Sequence, residues 1–406
     1  MFTYGCTEAV CWRGSPAFNH KRYSGGETVN TSQTSGRVLQ FCHGYDGPFL
    51  DCARQYAALF AGTGFQVTTV FLTGKRDPRV AEQCQSAEVL FMENSSKDIR
   101  GLKLKAIREL REIANERDFS FCIAHRSKPT YIACLATCLP VIGVHHAFGD
   151  FDRLGRKLFA RAFRERLHLL AVSDAVREDI RESLPGWPED RIQTLHNRID
   201  VQAVCTNQVA RDEARRVLQL PDDAWVVANV GRLHPDKDQA TLIEGFAEAL
   251  PTLPPSSLLV IIGTGRLESA LRAQVERLQI SDRVVFTGQV ADARRYFKAF
   301  DVFALSSDHE PFGMVLLEAM AAGNMLVCSD CGGATEVVGD TGVLYPLGKS
   351  EELAAALCQI SSYGNAQITQ NQRDMGVRLV EQFSDAAARS HFWRMPLMTN
   401  LTRDLQ

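Results

Sequence analysis

The chain has 406 residues, of which 45% are hydrophobic and 23% charged, with a formal net charge of -3. That length suits two domains with a sizeable core, and the balance excludes wholesale disorder or a collagen-like repeat. Residues 37–205 carry 24 basic and 21 acidic side chains and residues 206–406 carry 18 and 25, so neither half nears the charge of a nucleic-acid binder and no nucleic-acid partner is expected.

Residues 1–36, rich in Gly, Ser, Thr and Asn, read as a disordered or non-essential extension. No apolar leader or run of about eighteen apolar residues is visible, so a cytoplasmic chain with reduced thiols is expected. Among the 12 cysteines, Cys328 and Cys331 form one CxxC with no second pair at zinc-finger spacing, which reads as structural. From Arg37 an α/β alternation begins. RVLQFC is a strand, the loop HGYDGPF follows, and a helix opens near Pro48. FQVTTVFL, AEVLFME and FSFCIAH are further strands, the last preceded by an amphipathic helix over 97–117. RSKP, a helix through TYIACLATC and the strand LPVIGVH come next. A basic helix over 153–166, the strand LHLLAVS and a helix from Asp174, its candidate cap, complete this half. HNRIDVQAV reads as an interdomain crossing.

A second alternation follows: WVVANVG, SLLVIIG, RVVFTG, DVFALS, MLVCSD and GVLYP as strands, with helices between and a mostly helical end from Ser350. Such apolar runs suit parallel strands buried on both faces. The expected fold class is therefore α/β, with two Rossmann-like, doubly wound parallel-sheet domains.

Ligands of such sheets bind beyond the carboxyl ends of the strands. Six loops there carry candidate chemistry. Gly44 and Gly47 let backbone approach a ligand at a helix start. Arg126 and Lys128 put two cations at another helix start, where an anion is favoured. His145 and His146 end a strand, and alternation points only one of them at a substrate. Arg232 and Lys237 suit a pyrophosphate, the first as a fork and the second as a point charge. Gly263 and Gly265 read as a tight turn beside a ligand, since the third glycine of a dinucleotide fingerprint is missing. Glu310 and Glu318 place two carboxylates before and within an apolar helix, where burial requires polar partners such as sugar hydroxyls.

In order, VGRLHPDK, LVIIGTG, VVFTGQV, EPFGMVLLEAMAAG and CGGATEVV resemble the motifs of retaining glycosyltransferases of family 4, which have the GT-B fold with two domains facing a deep cleft. The resemblance covers about 37–395, and within the family the chain looks most similar to bacterial lipopolysaccharide core enzymes. It implies an acceptor-binding domain over 37–205, a nucleotide-sugar domain over 206–385, and a C-terminal helix and tail over 386–406 packing back on the first. It further implies that Glu310, Phe312, Gly313, Met314, Val315 and Gly263 surround a donor sugar, Glu318 its ribose, and Arg232, Lys237 and Gly47 its diphosphate. His146 is the counterpart of the catalytic-loop histidine, six residues after Pro140. Arg126, Lys128 and His145 would face the acceptor, and Asn197 falls in the interdomain segment. There Arg198 stands where the family has glycine, and Gly44-Tyr45-Asp46-Gly47 replaces a Gly-Gly loop.

The expected reaction is transfer of a hexose, glucose from a UDP-sugar, to a lipid-linked or phosphorylated saccharide of the lipopolysaccharide core, with retention of configuration. No metal or other cofactor is expected, because Arg232 and Lys237 supply the positive charge. The basic helices 97–117 and 153–166 suggest peripheral contact with the anionic cytoplasmic face of an inner membrane. Alternatives are transfer to another glycolipid or exopolysaccharide, a nucleotide-sugar 2-epimerase, or a noncatalytic sugar-binding protein.

Overall fold

The computed structural model describes residues 35–47 and 49–403; the first 34 residues of the extension read over 1–36, and Pro48, lie outside them. The first half holds strands β1 (Ser35–Cys42), β2 (Gly64–Phe71), β3 (Glu88–Phe91), β4 (Phe119–His125), β5 (Val141–His145), β6 (Leu167–Ala171) and β7 (Ile192–Thr194). They pair in the order β3-β2-β1-β4-β5-β6-β7. Helices α1 (Phe49–Ala58), α2 (Pro78–Gln83), α3 (Leu104–Asn115), α4 (Ser127–Ala136), α5 (Leu154–Ala162) and α6 (Asp174–Ser183) connect them. The second half holds β8 (Trp225–Val230), β9 (Ser257–Ile262), β10 (Val284–Gly288), β11 (Val302–Leu305), β12 (Met325–Ser329) and β13 (Val343–Tyr345), in the order β10-β9-β8-β11-β12-β13. Every strand pairing is parallel. The reversal of strand order beside β1 and β8 opens a crevice at the carboxyl end of each sheet.

Helices α7 (Val201–Asn207) and α8 (Arg211–Leu218) lead into the second half. There α9 (Gln239–Ala249), α10 (Glu268–Arg277), α11 (Met314–Ala322), α12 (Ala334–Val338) and α13 (Ser350–Ser361) flank the sheet. The chain ends in α14 (Asn365–Phe383), α15 (Asp385–Arg394) and α16 (Pro396–Arg403).

Several boundaries differ from the sequence expectation for local reasons. β1 starts at Ser35, two residues before Arg37, because Ser35 and Gly36 pair with Gly64 and Phe65. The helix expected over 97–117 begins only at Leu104, after Lys103 takes a left-handed backbone (φ 56). The basic helix expected over 153–166 spans Leu154–Ala162. The cap of α6 is Ser173, whose Oγ accepts from Val176 N, while Asp174 binds Arg177 and Thr194. The described cysteines, including Cys328 and Cys331, are all free thiols.

α15 returns to the first half. The Trp393 indole donates to Leu59 O at 2.9 Å and packs edge-on against Phe60 at 5.6 Å, with Phe65 at the same distance. Trp393→Ala removes a large buried ring, and core Trp truncations cost about 3–5 kcal/mol. We expect a lower urea midpoint for Trp393→Ala by an equilibrium loss of that order, measured by circular dichroism.

Candidate functional site

The loop after β8 runs through Gly231 and Arg232 into a single 3-10 turn, Pro235–Lys237, and Asp238 then caps α9 by accepting from Thr241 N. This turn delivers the Lys237 ammonium 2.7 Å from Glu310 Oε2. Glu310 is 8% exposed, and Ser307 Oγ donates to the same oxygen at 3.4 Å. Ser306 Oγ fixes the Lys237 carbonyl at 2.8 Å. Charge-assisted contacts of this kind make a half-buried ion pair tolerable. Gly313 follows at φ 95 as the cap residue of α11. A β-carbon there would lie 2.9 Å from Leu316, so only glycine suits the turn that aims the free N–H groups of Met314 and Val315 outward. Lys237, Glu310 and the start of α11 thus form one polar corner at the strand ends.

Other expected residues sit differently. Arg232 is mostly exposed and its guanidinium reaches Asp236 at 3.3 Å, so it joins the corner only by swinging inward. Gly263, at φ 140, would place a β-carbon 1.9 Å from Gly231 O, and Gly265 one 2.3 Å from Leu233 O. These glycines let two loops touch backbone to backbone. The Phe312 ring is buried against His196 and Phe383, with ring centres 5.9 and 5.8 Å away, so its side chain serves the domain interface. Gly47 has φ 60 and open space beside it.

Glu318 lies one turn into α11 and borders a cavity of about 340 Å³ with Asp51, Arg54, Arg198, Arg294 and Met314. Burial pushes its carboxyl up to about 7, against the opposing charge of Arg294. Arg294 bridges the crevice to Asp51 at 3.3 Å. Neither Arg294 nor Asp51 was expected from the sequence; each lies on a segment that starts just past a strand end, which was the available signal.

On the facing side, His146 stacks on His125, with Nε2 3.3 Å from His125 Nδ1. Burial, then the charges of His145 and Arg126, hold the His146 imidazole down to about 4, so it is neutral at pH 7. His145 points elsewhere: it is 1% exposed, binds Asp150 at 2.7 Å through Nδ1, and lines a separate cavity with Lys128. Arg126 sits at φ 78, its guanidinium 4.4 Å over the Phe49 ring. Phe148 meets His309 across the crevice at 6.4 Å, which brings the His146 loop to the second domain.

Asn197 is buried, with Oδ1 lacking a protein partner. Arg198 has no left-handed backbone, so glycine is not required at its position. Its side chain donates to Asp385 at 2.9 Å and to the Gln55 carbonyl. Sequence reasoning also missed Glu336, two residues past the Gly332-Gly333 pair and Ala334. Its carboxylate accepts from Asp174 N and Ala175 N, both at 2.7 Å, and from His196 at 2.8 Å. It therefore caps the first domain's α6 from the second domain. The described residues Asp174, His196 and Glu336 could together approach one metal ion, but Glu336 is taken by His196 and two backbone N–H groups, and the Asp174 carboxylate by Arg177 and Thr194.

The raised Glu318 pKa fixes a sign. The unfolded carboxyl ionises near its ordinary value and the folded one near 7, so the folded state binds more protons between them and loses relative stability as pH rises. Glu318→Gln should melt higher than the parent at pH 8 and with no gain at pH 4, read by thermal denaturation across pH.

Residues 210–375 match the model of glycosyl transferases group 1, and residues 52–203 that of glycosyltransferase family 4. The lipopolysaccharide core biosynthesis glycosyltransferase LpsE of Rhizobium meliloti is 35% identical over 204 residues, 50% of this chain and 56% of that protein. An uncharacterized glycosyltransferase of Methanocaldococcus jannaschii is 32% identical over 43% of this chain and 45% of its own length. The chain thus spans about half the length of the curated relatives it matches. Among solved structures, Anabaena HepE in complex with UDP superposes with a TM-score of 0.72 at 21% identity, covering 88% of this chain and 98% of that one. The lipopolysaccharide outer core galactosyltransferase WaaB in its apo form gives 0.66 at 18%, covering 90% and 99%. At those identities the likeness establishes the shared two-domain fold. With one model matched in each half and the GT-B architecture throughout, the chain belongs to the family 4 glycosyltransferases.

Proposed function

We propose that the chain transfers a hexose from a nucleotide diphosphate sugar to a saccharide acceptor with retention of configuration, and that the donor is UDP-glucose. The observation that carries this reading is the corner where Lys237 and Glu310 meet the start of α11 at 2.7 Å, with Glu318 one turn further on. In this reading Glu310 accepts from sugar hydroxyls, which replace part of its contact with Lys237. Lys237 and the swung-in Arg232 then face the diphosphate, aided by the N–H groups of α11, while Glu318 holds the ribose. The C1–oxygen bond to the phosphate breaks, the acceptor oxygen bonds to C1 from the same face, and its proton passes to the departing phosphate. The main catalytic device is positive charge fixed in advance where negative charge grows. That charge comes from the chain itself, so the scheme invokes no metal. His146, neutral, positions the sugar as a hydrogen-bond partner. UDP and UDP-glucose complexes of Anabaena HepE support the choice of donor.

The acceptor is read as a lipid-linked or phosphorylated saccharide of the lipopolysaccharide core, supported by the LpsE and WaaB likenesses. Arg126 and Lys128 at the start of α4 supply the cations for it. No described helix is long and apolar enough to cross a membrane. Contact with an anionic membrane surface is read from the basic α5, whose Leu154 and Leu158 are exposed.

Lys237→Ala should lower kcat by about a hundredfold or more, as for loss of one preorganised transition-state donor, with a smaller change in KM. Nuclear magnetic resonance of the product from UDP-glucose, with and without a chelator, reads both anomer and metal need. An inverted anomer would refute retention, and near-parental turnover of Lys237→Ala would refute the role of that lysine.

A further inference from the structure

A second cavity, of about 470 Å³, lies between α4 and α5 and is bounded by Tyr131, Phe159, Leu167 and Leu169. It is separate from the Lys237–Glu310 corner. Its size and largely apolar lining suit a ligand with a substantial hydrocarbon part. One polar atom stands out in it. His145 is 1% exposed, and its Nε2 has no hydrogen-bond partner. Nδ1 is committed to Asp150, which leaves the Nε2 lone pair unmet within the wall of the cavity. Buried polar atoms are usually satisfied, so this one points to a missing partner.

The rim is cationic without matching acids. Lys103 and Lys128 both line the cavity, and burial together with the charge of Lys128 lowers the Lys103 pKa. Arg153 also lines it. The nearby carboxylate, Asp150, is already taken by His145, Ser127 and Arg156. Among the described residues, no carboxylate forms an ion pair with Lys103, Lys128 or Arg153. An anion would relieve the repulsion between the two lysines.

The surface beside the mouth is unusual for a water-facing patch. Leu102 and Leu104, 67% and 68% exposed, flank Lys103, and Leu154, 68% exposed, follows Arg153. Leu158 adjoins Phe159 and is 54% exposed. Leucines interleaved with Lys and Arg are what an anionic bilayer surface receives.

We propose that this cavity binds one anionic glycerophospholipid of the membrane. Its phosphate lies among Lys103, Lys128 and Arg153, a head-group hydroxyl donates to His145 Nε2, and an acyl chain runs over Tyr131 and Phe159. The site deepens the reading of the chain as a transferase working on lipid-linked acceptors, and rests on it only for that biological sense. Lys128 also lies close enough to His43, in the loop after β1, to lower its pKa. The lipid site therefore adjoins the crevice, and a bound lipid would hold the acceptor side of the crevice against the bilayer.

Titration calorimetry on the full chain tests this with dioctanoyl phosphatidylglycerol below its micelle-forming concentration. Dioctanoyl phosphatidylcholine and glycerol 1-phosphate are the comparators. A β-carbon on Gly155, which borders the mouth, would meet nothing within 4 Å, so Gly155→Trp can crowd the entrance without a built-in clash. Arg153→Glu changes an exposed rim charge. The expected result is phosphatidylglycerol binding at least tenfold tighter than phosphatidylcholine, no binding of glycerol 1-phosphate, and at least tenfold weakening in both variants. Thermal shifts with UDP are followed on the same samples and should be unchanged by either substitution. Equal phosphatidylglycerol affinity in parent and variants, or equal affinity for glycerol 1-phosphate, overturns the lipid site. Stabilisation by UDP without any lipid binding overturns the lipid site alone. Lipid binding as expected, without stabilisation by any nucleotide sugar, supports the site and removes the transferase reading.

Discussion

A lysine ammonium and a carboxylate, 2.7 Å apart at the mouth of the second sheet, set the terms for the rest of the molecule. Isolated, either charge would be costly to hold in so sheltered a place. Together, each meets the other's need for a counter-charge, beside the start of α11. The surrounding features follow from that need. The 3-10 turn brings the lysine in, Ser306 holds the lysine's backbone, Ser307 supplements the carboxylate, and Gly313 opens the start of α11 beside them.

The domain contacts repeat the theme with different partners. Glu336 from the second domain satisfies two backbone N–H groups and a histidine of the first. Arg294 reaches across to Asp51 in the opposite sense. These contacts join the two walls of the crevice. Glu318 is the exception: burial raises its pKa, and among the described residues no cation sits within ion-pair distance of it.

Much of this was legible in the chain. Continuous apolar runs such as LLVII and RVLQF disclosed parallel strands, and position at strand ends singled out Lys237, Glu310 and the His145–His146 pair as candidates. What remained hidden depends on distant partners. Nothing local in HNRID shows that Arg198 meets Asp385, and nothing local in GTG shows that its glycines let the loop touch Gly231 and Leu233. The histidine pair illustrates both sides. Alternation correctly separated the two rings, but only packing shows that His145 turns toward α5 and Asp150. Helix ends were misjudged where one residue such as Lys103 adopts a left-handed backbone that its residue type does not advertise.

The described residues begin and end in the same domain. The chain leaves through the segment at Ile199 and returns at Ser384, and those two residues lie side by side as a parallel bridge, with Ile199 N donating to Phe383 O at 3.2 Å. The second half is therefore an insertion carried on a double stem. A single stem would act as a swivel, free in every direction. Two stems bonded abreast behave as the leaf of a door, which favours one axis of swing and keeps Lys237 and His146 in register as the crevice widens or narrows.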